Sequence, residues 1–368
     1  MKSKKKVSLV LAIVVIILVS LLFLMKFKEN VYIGNENLSR LNNAHKDEKN
    51  EGELRQKFAV LYSSPFQKGS EILVLNSKER ENYFIKDSIG LGGIEVDDRK
   101  NFWLNGTESI SLLSYNPSKD VLKDHKAKDM TNYFTFDNDI KIVVYKDKED
   151  MFSSQLDVEY KEKKVIQQTV KGYIRVAESD GKYVYAFADL VDKGETSSLY
   201  VFDLASGKLI KQLNMKYKFA NDIEFFRDNV IVGTKGRATV INSNNFGVSY
   251  LPPINEEYET SKLLKVSEER LLITSSSKSE DSGINILELD KDLQVKNEKN
   301  LKFPYVEAFV KNDKLYVIGP LDDGSGGSGI IGEFNINKDY KKTAQLEIPK
   351  PRNHDLWIAG VEILPENF

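Results

Sequence analysis

From Phe58 onward the chain alternates short apolar runs, rich in aromatic and β-branched residues, with polar turns that carry Asp, Asn, Gly or Ser. That pattern predicts short strands rather than helices. The clearest stretch runs from Tyr173 to Leu213. Tyr173 to Ala177, Tyr183 to Phe187, Leu199 to Phe202 and Leu209 to Leu213 read as four successive strands. Asp189 to Ser198, full of Asp, Gly and Ser, reads as a loop. In the turn from Asp203 to Lys208 an Asp side chain can bond the turn backbone, and Gly207 supplies the positive φ of a tight reversal.

Degraded copies of this unit recur. Third-strand candidates end at Asn76, Asn116, Lys161, Asp203, Asn242, Asp290 and Asn335, at steps of 40, 45, 42, 39, 48 and 45 residues. A period near 43 residues with four strands per unit is the signature of a β-propeller. Phe58 to Tyr62 resembles a second strand, so the first unit lacks its inner strand. Leu356 to Leu364 has inner-strand character and no unit after it. The economical expectation is an all-β propeller of seven four-stranded blades, with the C-terminal strand closing the first blade and removing an open edge.

Ahead of the repeats, Lys2, Lys4, Lys5 and Lys6 precede an apolar run, Val7 to Met25, in which fifteen residues are Leu, Ile, Val or Phe. As a helix it would be about 28 Å long, close to the hydrocarbon thickness of a bilayer. No small-residue cleavage site follows, so the run reads as an uncleaved signal anchor. The lysines would keep the N-terminus in the cytoplasm. The expected organisation is an anchor at 1–28, a flexible stalk at 29–57 and a propeller at 58–368. The propeller would lie outside the plasma membrane, on a bacterial cell surface.

Charge and cysteine count sharpen this picture. The chain has no cysteine, which excludes disulfides and thiolate metal sites. Without residues 1–28 it carries 47 basic against 55 acidic residues, which argues against a nucleic-acid or anionic-lipid surface.

Tyr183-Val-Tyr, Leu199-Tyr-Val-Phe-Asp and Ser206-Gly-Lys resemble the repeats of YVTN-type and quinoprotein-like bacterial propellers, as does Lys314-Leu-Tyr-Val-Ile. The chain has Phe202 where the quinoprotein repeat carries Ala, and no Trp after Lys208. The resemblance implies an architecture for the whole ectodomain and carries over no catalytic residue.

Two candidate sites emerge. Glu95, Glu224, Glu307 and Glu362 occupy matching places in four inner strands, Arg175 and Lys265 place cations in two more, and Asn132 to Thr135 supply the seventh. A charge inside a packed strand is costly, so these side chains are expected to face the central channel. The ring could hold a hard cation such as Ca2+. The favoured reading is a set of ion pairs with Arg175 and Lys265. The second candidate is an end of the ring, where long loops carry Asp189, Asp192, Glu195, Glu280, Asp281, Asp322 and Asp323. They suggest an acidic recognition face.

Enzyme signals are weak. His45, His125 and His354 lack metal-ligand spacing, no Ser sits in a nucleophile elbow, and Trp103 and Trp357 read as packing residues. The expected function is a binding scaffold for a protein or cell-envelope partner. The alternative is a hydrolase, lyase or quinone-dependent dehydrogenase working at the channel.

Overall fold

The middle strands of each repeat are buried on both faces, and this is why they stood out in the sequence. The structure, a computed structural model, describes residues 52–368 except 107–111, 126–130, 138, 148–149, 151, 191–195, 235–236, 253–260, 277–282, 322–326, 354 and 367. In the fourth blade, β13 (Tyr183–Leu190) and β14 (Thr196–Asp203) are almost wholly buried, whereas the outer β15 (Leu209–Met215) is mostly exposed. A strand sandwiched between two neighbouring blades must be apolar throughout. An outer strand has one edge and much of its surface in water.

Seven four-stranded antiparallel sheets make up the ring. Blade 1 has the order β28–β1–β2–β3, made of Trp357–Ile363, Phe58–Ser63, Lys68–Leu75 and Arg80–Ile89. The inner strands of blades 2 to 7 are β4 (Leu91–Val96), β8 (Thr131–Asp137), β12 (Tyr173–Ser179), β16 (Asp222–Phe226), β20 (Ser261–Ser267) and β24 (Glu307–Lys311). All seven third strands fall where the repeat placed them.

Closure is also as expected. Phe58 pairs with Ile363, Ala59 with Glu362 and Val60 with Val361. Leu364 extends the lock by donating its N–H to the Lys57 carbonyl at 3.0 Å. Its own carbonyl accepts from Gln56 at 2.7 Å and from Lys311 at 2.9 Å. Upstream, Gly52 bridges Ala344 in β27 (Lys341–Ile348), and Leu54 is fully buried under the junction of blades 7 and 1.

The ring has two different ends. At the connection end, fourth strands lead into the next blade and second strands turn into third strands. At the opposite, turn end lie the tight reversals. The Asp203 reversal forms as the residues dictate: Asp203 accepts from Ser206 N–H at 2.7 Å, and Gly207 adopts φ +69°. A Cβ on Gly207 would stand 2.1 Å from the Val165 carbonyl oxygen of blade 3, so both its conformation and its neighbour require glycine there.

Among the described residues no helix is long and apolar enough to cross a membrane; the sole helical turn is a 3-10 turn at Ile336–Lys338. The expected anchor at 7–25 and most of the stalk lie outside the described residues.

Candidate functional site

An inner strand pairs with one neighbour only, so its other edge turns unpaired N–H groups toward the channel. The axial carboxylates answer that need. Glu95 accepts from the N–H of Phe136 in the next blade at 3.0 Å. Asp222 and Glu224 likewise accept from Leu263 at 2.7 Å and Lys265 at 3.4 Å. In all three cases donor and acceptor are 41 residues apart, close to one repeat. Glu224, Glu307 and Glu362 also accept from the N–H of the residue that follows each of them, at 2.9, 3.1 and 3.1 Å.

The register refines which residues are equivalent. Glu362, Glu95, Glu178 and Glu224 pair through second strands to Val74, Ser114, Val201 and Val240, each two residues before its blade's turn residue. Glu307 is not at that level. It aligns with Asp222 and Lys262 one step nearer the connection end, through Ile331, Ala238 and Ile286. Two levels therefore line the channel: four glutamates, and an Asp222–Lys262–Glu307 row on three adjacent blades. The Lys262 ammonium lies 3.5 Å from the Glu307 carboxylate.

Of the cations expected to neutralise the ring, Arg175 acts elsewhere, whereas Lys265 makes its close ion pair outside the ring yet still lowers the pKa of Glu224. Arg175 bonds Asp189 at 2.8 Å, and Lys265 pairs with Glu268 at 2.6 Å. Both strands carry a bulge there: the ladder skips a residue between Ile174 and Val176, and again between Lys265 and Ser267. Lys262 makes the close ion pair within the channel. From β8 the polar group reaching the axis is Tyr133, whose hydroxyl donates to Glu178.

Electrostatics follow from this crowding. Burial first, then the neighbouring Glu362 and Glu178, holds Glu95 well above the usual carboxylate range. Burial likewise pushes Glu178 and Glu362 up to about 8 and Glu224 to about 7. Asp222 is raised by burial too, while Asp222 and then Glu307 hold the Lys262 ammonium more firmly charged than usual. Burial thus makes Glu95, Glu178, Glu224 and Glu362 hold protons to higher pH than exposed carboxylates do. Among the described residues no three His, Asp or Glu side chains converge as metal ligands.

At the connection end Asp189 lies within β13, not in a loop. It is 6% exposed, held by Arg175, Ser197 at 2.9 Å and the Phe219 N–H at 3.2 Å. It is a structural buttress. Asp192, Glu195, Glu280, Asp281, Asp322 and Asp323 lie outside the described residues.

What the described part of this end displays is apolar. Phe66 (84% exposed), Val306 (69%), Phe219 (52%), Phe152 (40%) and Trp357 (39%) all stand in its loops or at its strand starts. The other exposed large apolar residues are on outer strands, and none is in a described turn of the opposite end. Cations accompany the rings. Arg175 lies over Tyr173 and Phe219 at 4.8 and 5.2 Å, Arg237 over Tyr217 at 4.9 Å, and Arg352 over Phe84 at 5.1 Å. The two tryptophans divide: Trp103 is 9% exposed and packs between blades 2 and 3, whereas Trp357 is open to solvent.

His125 sits between blades 2 and 3, bonded to Ser114 Oγ at 2.7 Å and stacked on Trp103 at 4.5 Å. Burial, with Lys141 and Lys123 nearby, lowers its pKa. No described carboxylate bonds its other nitrogen, so the Ser–His pair lacks the orienting third member of a nucleophilic triad.

No family model matches the chain. It is similar to YeeG, an uncharacterized protein of Bacillus subtilis strain 168, at 23% identity over 299 residues, 79% of this chain and 82% of that protein. Among solved structures, a Lactobacillus plantarum protein superposes with TM-score 0.60 at 8% identity, covering 85% of this chain and 100% of that one. A putative 6-phosphogluconolactonase from Bacteroides fragilis gives 0.57 at 11%, covering 87% and 100%. A dihydro-heme d1 dehydrogenase gives 0.53 at 11%, covering 87% and 78%. At such identities these likenesses show one thing, the propeller fold.

Proposed function

We propose that this protein is a membrane-tethered propeller that uses its connection end to hold a protein or cell-envelope partner outside the cell. The observation that carries the reading is the asymmetry of the ends: Phe66, Phe152, Phe219, Val306 and Trp357 are exposed at one and have no counterpart in the described turns of the other. Exposed aromatics flanked by arginine are the composition of interface centres. The attachment of the chain supports the same orientation. Gly52 and Leu54 enter beside Ser77, a turn-end residue whose hydroxyl accepts the Leu54 N–H at 2.7 Å. A tether N-terminal to Gly52 would then join at the turn end, opposite the connection end.

Photo-crosslinking on cells carrying the full chain tests this. With p-benzoylphenylalanine at Phe66 or Phe219 a discrete adduct is expected, and at Ser118 or Asn244 of the turn end none. Equal adducts from both ends, or none from either, would sink the proposal.

A second reading, chemistry at the axis, draws on Glu178, Glu224 and Glu362, which keep protons into the neutral range and could act as general acids. It predicts ligand uptake in the channel that Glu178→Gln abolishes; an axis that takes up nothing from small-molecule panels removes it.

A further inference from the structure

On the connection-end reading just given, we infer that the sector of blade 1 around Arg352 is a subsite for an anionic saccharide, a pyranose chain bearing carboxylate or phosphate groups. The sector is one continuous surface. Phe66 meets Trp357 edge to face, centroids 6.3 Å apart at 87°. From there Gln67 and Asn353 are joined by an amide hydrogen bond at 3.2 Å, and the residue before Asn353, Arg352, lies over Phe84. The Arg352 backbone is fixed from below, because its N–H donates to the buried Glu71 at 3.2 Å. The guanidinium is thus positioned by the fold, has one face on a ring, and has no carboxylate partner among the described residues.

Each part fits one demand of a charged sugar. Phe66 and Trp357 are 84% and 39% exposed and offer apolar surface for the C–H faces of pyranose rings, while Phe84 carries the Arg352 guanidinium. Gln67 Oε1 accepts from Asn353 and Asn353 Oδ1 from the Asp355 N–H, which leaves the remaining amide N–H groups of the pair to donate to sugar hydroxyls at the rim. Arg352 presents a fork of N–H groups that suits a carboxylate or phosphate in two parallel hydrogen bonds.

A folded protein suits the sector less well. A stable protein interface covers about 800 Å² per partner around a desolvated apolar centre. Here the rings are separated by two amides and a guanidinium, each of which would need its own partner once covered. The sugar supplies those partners along with the stacking faces.

The experiment uses residues 52–368, which contain the whole closed ring, its seven inter-blade clusters and both strands of the closure. Intrinsic fluorescence reports on the site directly, because Trp357 is solvent-exposed and Trp103 is not. Three probes are titrated: a galacturonic acid hexamer, glucose 6-phosphate and a neutral N-acetylglucosamine hexamer. Saturable quenching is expected with at least one charged probe, weakened tenfold or more by Arg352→Gln and by Phe66→Ala. Trp357→Phe should remove most of the fluorescence change, and isothermal calorimetry then follows its binding. All three side chains are exposed, so melting temperatures should stay within about 2 °C of the parent, which separates lost binding from lost fold. The inference is overturned if no charged probe binds, if the neutral hexamer binds as tightly as the charged ones, or if Arg352→Gln leaves affinity within twofold. Adducts in the crosslinking experiment without saccharide binding would discard this subsite alone and keep the connection-end reading.

Discussion

The seam between blades 3 and 4 and the seam between blades 2 and 3 are built from the same kinds of strand and are filled in opposite ways. Among the described residues the first gathers fifteen buried apolar side chains, from Ile140 and Val144 to Phe202 and Leu204. The second gathers four: Trp103, Leu112, Phe134 and Val143. Its remaining volume is polar. Lys141 lies over the Trp103 ring at 4.7 Å and reaches Glu159 at 3.7 Å, while Lys164 pairs with Asp157 at 2.7 Å. A cavity of about 260 Å³ lined by His125, Lys141, Gln155 and Asp157 separates the sheets, and it adjoins a groove of about 1280 Å³ open at the turn end. The outer strand of blade 2, Val121–Asp124, is exposed along its length and contributes nothing to the filling. A closed ring is only as stiff as its least-packed seam, so local opening is expected to begin here.

Four outcomes would break or sharpen that contrast. The largest concerns closure, on which both seams depend. Truncation after Pro351 deletes β28, exposes the inner edge of β1 and should abolish the cooperative melt of residues 52–368 in calorimetry. A truncated chain that melts as the parent does would show that blade 1 needs no closing strand.

Next come the seams themselves. Phe202→Ala in the dense seam should cost about 3–5 kcal/mol in urea unfolding, and Val143→Ala in the sparse one about 1 kcal/mol or less, because a cavity already adjoins it. Equal losses would mean that the two seams are equally tight. The third outcome is set by pH. Glu178 and Glu362 titrate near 8 in the folded ring against an ordinary value of 4.5. The folded state then binds more protons than the unfolded chain between these values. Stability from this source is complete below about 4.5 and is lost as pH rises toward 8. The melting temperature should fall by several degrees from pH 5 to pH 8, and Glu178→Gln should flatten the slope. A melting temperature that rises over this range would show that the axial carboxyls are not holding protons. The smallest effect is expected from Lys141→Met. Burial lowers the pKa of that ammonium, so replacing it with an apolar chain of similar length should be neutral or stabilise by up to about 1 kcal/mol. A loss above that would give the Lys141–Glu159 pair a structural role.

How much of this was legible beforehand depended on burial. Third strands such as Leu199 to Phe202 are covered on both faces, so they are apolar throughout and mark the repeat, the blade number and the closure. Outer strands such as β15 carry no such mark. The axial residues were found in kind but not in level. Glu307 lies one step nearer the connection end than Glu95 although its strand runs without a bulge, and the sequence cannot show the bulges beside Arg175 and Lys265. Lys262 and Glu178 became visible only through the ladder register, and Asp189 looked like a loop acid because nothing local reveals Arg175 as its partner. The exposed aromatics of the connection end were present in the sequence, yet an isolated Phe66 or Trp357 reads the same whether it faces a core or water.

The pairing of Phe58 with Ile363 also sets a schedule. The first strands to leave the ribosome find their inner partner about 300 residues later, a delay on the order of 15–60 s at ordinary rates of synthesis. Throughout that interval the edge from Ala59 to Tyr62, apolar and unpaired, is available to any other extended chain. The protein's most vulnerable moment therefore falls before it is finished. Its yield in a cell should depend on how fast translation delivers the last residues, more than on the stability of the ring once shut.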